Sequence, residues 1–172
     1  MEAIQNEACV VDFAKAMRRL ASTVCVVATH DDVQPYGMVA TAVTSLSATP
    51  ASLLVCINKD ASSHPVIERV GRFSVTLLRK DQRHISDRFG SRYSQAERFA
   101  SSQWKMSMRW TLPCLENAQA TFFCSLARQF EHGTHTVFVG DVLQTVVNDE
   151  VDPLLYADGA YRCLDSVQAH LT

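Results

Sequence analysis

Val10, Phe13, Met17 and Leu20 recur every three to four positions with Asp12, Lys15, Arg18 and Arg19 between them, a period that predicts an amphipathic helix over 8–21. From there the pattern changes. Thr23 to Thr29 (TVCVVAT) is apolar and β-branched, HDDVQPYG is rich in turn formers, and Met38 to Thr44 (MVATAVT) is apolar again, which reads as two strands joined as a hairpin. Ser47-Ala48-Thr49-Pro50 breaks the chain, and Leu53 to Ile57 is a short apolar run suited to a strand buried on both faces.

A short helix is predicted in SSHPVIERVG, with Ser62 or Ser63 as its cap, Pro65 in its first turn and Gly71 ending it. Phe73 to Leu78 is a fourth strand. In DQRHISDRFG, Asp81 is placed to cap a second short helix on which Ile85 and Phe89 share a face before Gly90. Residues 91–113 are polar and weakly patterned, as expected of a long mobile excursion. Ala120 to Leu126, Thr134 to Val147 and Tyr161 to Leu164 complete an inventory of six or seven strands. Strands outnumber helices, and several consecutive strands lack a helix long enough for a parallel crossover. The fold class expected is therefore mainly β, an antiparallel barrel with peripheral α-helices. No internal repeat or Pro/Gly-rich linker divides the chain, so residues 1–172 read as a single domain, with the helix over 8–21 and the barrel over 22–165.

Composition narrows the function classes. The chain has 172 residues, 47% hydrophobic and 20% charged, as in ordinary globular proteins. Sixteen Lys and Arg against eighteen Asp and Glu give a net charge of −2, which provides no overall positive field for nucleic acid or anionic lipid. Apolar runs fall far short of the roughly 20 residues of a membrane span, and MEAIQNEACVVDF has no basic start followed by an apolar stretch. A soluble, cytoplasmic protein with no nucleic-acid or membrane partner is expected. The six cysteines (9, 25, 56, 114, 124 and 163) form no C-x-x-C and mostly sit in apolar runs, as buried free thiols do. The glycines at 37, 71, 90, 133, 140 and 159 are too far apart for G-x-G-x-x-G, a P-loop or G-x-S-x-G, and H-E-x-x-H is absent.

Three clusters remain as candidates. Gly37 to Ser47 keeps its side chains short at Ala40, Thr41, Ala42, Thr44 and Ser45, which suits either a flat ligand against the backbone or close packing of another element. Asn58-Lys59-Asp60-Ala61-Ser62-Ser63 follows a buried strand and opens a helix, where amides, hydroxyls and a lysine suit either a phosphate or a simple cap. Glu131-His132-Gly133-Thr134-His135 enters a strand, and His135 is placed to be a ligand, a base, a ring-stacking group or a plain turn residue. Metal binding would need further ligands, such as Cys124 or Asp141, brought in by assumption, so no metal site is expected.

These clusters fall within seven blocks that carry a resemblance: FAKAMRRLASTVCVVAT, GMVATAVTSLSATP, LLVCINKDASSHPVI, GRFSVTLL, QRHISDRF, GTHTVFVGDV and PLLYADGAYRCL. In order and spacing, nearly the whole chain resembles the flavin reductase family of FMN-binding split barrels, the small reductase partners of two-component flavin-dependent monooxygenases. The resemblance implies an antiparallel split β-barrel of Greek-key type and a homodimer with flavin at its interface. It implies flavin contacts at Gly37, Met38, Val39, Thr41, Ala42 and Ser45, and at Cys56, Ile57 and Asn58. The phosphate end is implied at Lys59, Ser62 and Ser63, with Arg88 and Phe89 also reaching the flavin. His135 is implied as the catalytic residue on the nicotinamide side, with Tyr156, Ala157, Asp158 and Gly159 alongside and Tyr161 and Arg162 adjacent. Val39 stands where a threonine is common, Thr49 where an aspartate precedes the proline, and Thr134 where G-D-H is usual. The cofactors implied are FAD or FMN with NADH or NADPH, and the activity is that of an NAD(P)H:flavin oxidoreductase feeding a separate monooxygenase. A non-catalytic flavin-binding barrel is the alternative, and a zinc or non-haem metal domain a more distant one.

Overall fold

The computed structural model describes residues 7–90 and 92–165. In chain order, α1 (Glu7–Met17) leads into β1 (Ser22–Thr23), β2 (Cys25–His30), β3 (Pro35–Ala40), β4 (Val43–Ala48) and β5 (Ala51–Asn58). Then come α2 (His64–Val70), β6 (Arg72–Leu77), a single 3-10 turn at Lys80–Gln82, α3 (Arg83–Phe89) and α4 (Gln95–Arg98). The chain continues through β7 (Trp104–Met106), β8 (Pro113–Leu115), β9 (Ala120–His132), β10 (His135–Val147), β11 (Leu155–Ala157) and β12 (Ala160–Arg162). With 48% strand and 19% helix, the protein is mainly β, and its sheets are antiparallel.

Seven strands form the main sheet in the order β3-β2-β6-β9-β10-β5-β4. Its two edge strands, β3 and β4, are consecutive in the chain and separated only by Thr41 and Ala42. Since a residue spans at most about 3.6 Å of extended chain, the sheet must curl until the adjoining ends of its edges lie within a few residues' reach. No β3–β4 ladder joins them, so the sheet is curled but not closed.

Strand β2 explains why the curl holds. Residues 24–29 are all buried, because each face of the strand packs against a different core. Cys25 and Val27 join Val55, Ile57, Phe73, Val75 and Phe138 inside the curl. Val24, Val26 and Ala28 join Leu78, Ile85, Phe89, Leu115 and Leu154 outside it, under α3. The Val, Leu, Ile and Phe side chains among them each contribute about 1.5–3 kcal/mol on full burial. In β10, Gly140 leaves room for Phe73: a Cβ there would stand 2.6 Å from Phe73 Cζ.

Several expectations need correction. Met38 to Thr44 is not one strand, because the chain leaves one sheet edge at Ala40 and joins the other at Val43. The helix over 8–21 stops at Met17, after which Arg18 and Arg19 only continue a turn. Its apolar positions Val10, Val11, Phe13, Met17 and Leu20 are exposed rather than packed on the sheet. Ser63 is the N-cap of α2, yet it has helical backbone angles and its hydroxyl caps nothing, whereas Gly71 does end the helix at φ 67°. Asp81 lies inside the 3-10 turn and does not cap α3, whose N-cap is Gln82. Tyr161 to Leu164 as a single strand gives way to the β11–β12 hairpin. Residues 92–113 are built, with α4 and the β7–β8 hairpin in place of a structureless excursion.

Candidate functional site

The two-residue crossing between the sheet edges is the floor of the site. Cys56 N–H donates to Ala42 C=O at 3.0 Å, just beyond the Val43–Val55 end of the β4–β5 ladder. Thr41 and Ala42 belong to neither ladder, and among the described residues their amide N–H groups have no acceptor. Both residues are exposed. A crossing that must bridge two edges cannot keep its amides in a ladder, so it presents donors to whatever occupies the adjoining space.

That space is a cavity of about 390 Å³ lined by Met38, Val39, Ala40, Thr41, Ala42, Cys56, His135, Tyr156 and Tyr161, with Val24 and Ser86 completing the wall. Among the described residues, no carboxylate, lysine or arginine lines it. His135 opens β10 just after the tight His132-Gly133-Thr134 turn, where Gly133 takes φ 55°, and it pairs in register with Asn58 of β5. Its Nδ1 lies 2.9 Å from Thr134 Oγ1. Tyr156 and Tyr161 are partners across the β11–β12 ladder and meet edge to face, their ring centroids 5.5 Å apart. The Tyr161 phenol donates to Ser86 Oγ at 2.9 Å, and its ring carries the Arg83 guanidinium 4.8 Å from the centroid. Burial pushes the Tyr161 phenol above its ordinary pKa, with Asp87 adding to the rise and the Ser86 hydrogen bond and Arg83 opposing it, so it stays a neutral donor.

A second cavity of about 510 Å³ lies on the other side of the crossing. Ala157, Asp158 and Gly159 line it, together with Thr41, Ala42, Cys56 and Tyr156, which border both spaces. Arg19 and the Asp158 carboxylate approach to 3.5 Å at its rim. Ser45 borders a third cavity, of about 550 Å³, which Thr41 also reaches.

The remaining sequence-predicted residues lie outside the main cavity. Gly37 is buried, and a Cβ there would be 2.8 Å from both Phe89 Cε1 and Phe99 Cζ. Phe89 is itself committed to an aromatic cluster with Phe99 and Trp104, and Ile57 is wholly within the core. Asn58 Oδ1 accepts from Asp60 N–H, and Lys59 pairs with Glu131. Ser62 is exposed and Ser63 is buried with its hydroxyl unpartnered. Arg88 is half-buried on the last turn of α3, and Arg162 is exposed on β12.

Sequence reasoning missed Gln95 and Arg98 of α4, which reach Gly37 at the free edge of β3. Gln95 Oε1 accepts from Gly37 N–H at 2.9 Å, and Arg98 donates to Gly37 C=O at 3.0 Å. The signal for α4 was present as a capping box, in which Ser94 and Glu97 exchange side-chain to backbone bonds. Among the described residues no group of three or more metal-ligating side chains converges, and no helix is long and apolar enough to cross a membrane.

Residues 17–165 match the flavin reductase like domain. The chain belongs to that family. It is 36% identical over 155 residues to the FMN reductase (NADH) RutF of Stutzerimonas stutzeri (strain A1501), covering 90% of this chain and 88% of the relative. It is 37% identical over 152 residues to the reductase component of the FADH(2)-dependent resorcinol hydroxylase of Rhizobium sp. (strain MTP-10005), covering 87% and 84%. Among solved structures, it superposes with TM-score 0.84 and 31% identity on BorF, the flavin reductase component of a bacterial two-component tryptophan halogenase, covering 92% of this chain and 99% of that one.

Proposed function

We propose that this flavin reductase-family chain is an NADH:flavin oxidoreductase of split-barrel fold that reduces FMN or FAD and hands the reduced flavin to a separate oxygenase. The observation that carries the reading is the charge-free cavity, with unpaired amides at Thr41 and Ala42 on one side and His135, Tyr156 and Tyr161 on the other. Its volume of about 390 Å³ suits a flat ring system held edge-on to backbone donors. The donor set fits a flavin, whose reduced ring is electron-rich and gains from fixed N–H groups. Bound cofactors supply the redox chemistry, a hydride passing from nicotinamide to flavin, so the walls need no acid–base pair.

The chain's own residues then have positioning tasks. Thr41 and Ala42 hold the ring edge, the Tyr156–Tyr161 pair gives an aromatic wall, and His135 packs the nicotinamide at the mouth of β10. Lys59, Ser62 and Ser63 are the loop assigned to the phosphate end, and of the two serines Ser62 is the exposed one. NADH is preferred over NADPH as donor because the RutF relative is an FMN reductase of NADH. The second subunit of a homodimer would cover the exposed apolar residues of α1, and a cytoplasmic location suits both free thiols and a nicotinamide nucleotide.

Anaerobic mixing with NADH or NADPH, and with FMN, FAD or no flavin, tests the reading. Nucleotide oxidation that depends on added flavin is expected. Flavin binding without oxidation of either nucleotide would establish the non-catalytic barrel instead, and light scattering reports whether the active species is a dimer.

A further inference from the structure

We propose that Gln95 is a positioning residue that turns the Ser62 hydroxyl outward as a hydrogen-bond donor to the phosphate of the bound flavin; this rests on the assignment of the Ser62 loop to the phosphate end. Gln95 spans two elements with one carboxamide. Its Oε1 accepts from Gly37 N–H at 2.9 Å, and its Nε2 donates to Ser62 Oγ at 2.8 Å. The first bond settles the second. A backbone N–H only donates, so the oxygen of the carboxamide must face Gly37 and the NH₂ group must face Ser62.

Ser62 Oγ is thereby fixed as an acceptor toward Gln95. Its own proton has to point elsewhere, and Ser62 is exposed. An ionised phosphate offers acceptors only, so a serine already supplied with a donor on one side presents the complementary group on the other. Ser63 is no substitute, since it is wholly buried and its hydroxyl has no partner.

The bridge also ties Ser62 to the cavity wall. Gly37 precedes Met38, which lines the main cavity, so Ser62 is held one glutamine side chain from the strand that forms that wall. Helix α4 has only four residues and stands by its anchors: the Ser94–Glu97 capping box, Phe99 packed on Phe89 and Trp104, and the pair of bonds to Gly37.

Steady-state kinetics with NADH, comparing FMN with riboflavin, test the assignment, because riboflavin has the same ring and no phosphate. Gln95→Glu keeps an acceptor for Gly37 N–H but has no donor for Ser62 and draws the serine proton back toward itself. Gln95→Met removes both bonds without adding charge. Each is expected to lower kcat/KM for FMN about tenfold relative to riboflavin, the loss of one charge-assisted hydrogen bond. Ser62→Ala should lower the same ratio, and adding Gln95→Met to it should cost no further discrimination. If Ser62→Ala lowers the ratio while both Gln95 variants leave it within about twofold, Gln95 merely anchors α4 and the inference is overturned. A ratio unmoved by Ser62→Ala takes the phosphate off the Ser62 hydroxyl and overturns the inference, whereas absence of flavin-dependent oxidation in the unaltered protein would defeat the functional reading itself. Thermal melts of each variant separate a loss of fold, which lowers turnover of both flavins alike.

Discussion

Lys59 and Glu131 close an ion pair of 2.5 Å between the β5–α2 loop and the end of β9. The only lysine of the Ser62 loop is therefore already engaged, and an anion there relies on neutral donors. Glu131→Gln should release the ammonium and raise FMN affinity a few-fold over riboflavin at low salt, with the gain shrinking above about 0.15 M salt. The hydrogen bond from Lys59, and then its charge, hold the Glu131 carboxyl below the ordinary carboxylate range. A depressed carboxyl stabilises the fold at pH above its unfolded value of about 4.3, and that contribution is lost as pH falls through the lower folded value. The melting difference between Glu131→Gln and the unaltered protein should accordingly close in acid. Titrations and melts across pH check both.

Gly37→Ala should destabilise the protein by about 1–3 kcal/mol, because overpacking forces neighbours off their rotamers. The new methyl would meet Phe89 and Phe99 at 2.8 Å and the Val27 carbonyl at 3.3 Å. Urea denaturation measures the cost. Retained stability would show that the aromatic cluster gives way freely.

Thiol labelling should divide the cysteines by burial. Desolvation pushes the thiols of Cys25 and Cys124 up to about 12, with the Asp141 charge adding to the second. Neither supplies thiolate at neutral pH. With iodoacetamide and mass mapping, exposed Cys163 is expected to react ahead of the other described cysteines, and Cys25 and Cys124 only after denaturation. Labelling of Cys25 in the native protein would reveal an opening of the curled sheet.

The mainly β, antiparallel character was legible because its signals are local: β-branched runs at TVCVVAT, FSVTLL and THTVFVG do read as strands β2, β6 and β10, whereas the sheet they form is curled and not closed. The crossing at Thr41 and Ala42 was not, because those residues continue the apolar alternation and only the sheet's curl makes them a break. Gly37 shows the same limit. The short side chains from Gly37 to Ser47 suited either a flat ligand or close packing of another element, and at Gly37 it is packing, by Phe89 and Phe99, more than fifty positions away. The clustering of Met38, Thr41, Ala42, Cys56, His135, Tyr156 and Tyr161 was available only through resemblance, since no spacing rule links positions on separate strands. Gln95 went unseen because one turn of helix in a polar stretch carries no periodicity, although the Ser94-x-x-Glu97 box was there to be read.

His135→Ala should damage hydride transfer while leaving oxidised flavin bound. The side chain is exposed at the mouth of β10 and lines the main cavity, and its Nδ1 meets the neighbouring Thr134 hydroxyl rather than any core group. The bland reading, a histidine that ends a hairpin, predicts no kinetic change at all, because its backbone pairing with Asn58 and His132 survives in alanine. If the imidazole instead holds the nicotinamide against the flavin, its loss loosens a ring separation that must be about 3–3.5 Å for reaction. The flavin-reduction rate should then fall and NADH binding weaken, with flavin affinity held within about twofold, roughly 0.4 kcal/mol. Stopped-flow reduction at saturating flavin, run beside a flavin titration, separates the outcomes. Unchanged reduction would leave His135 as a turn residue, and a large loss of flavin affinity would move it to the other ligand.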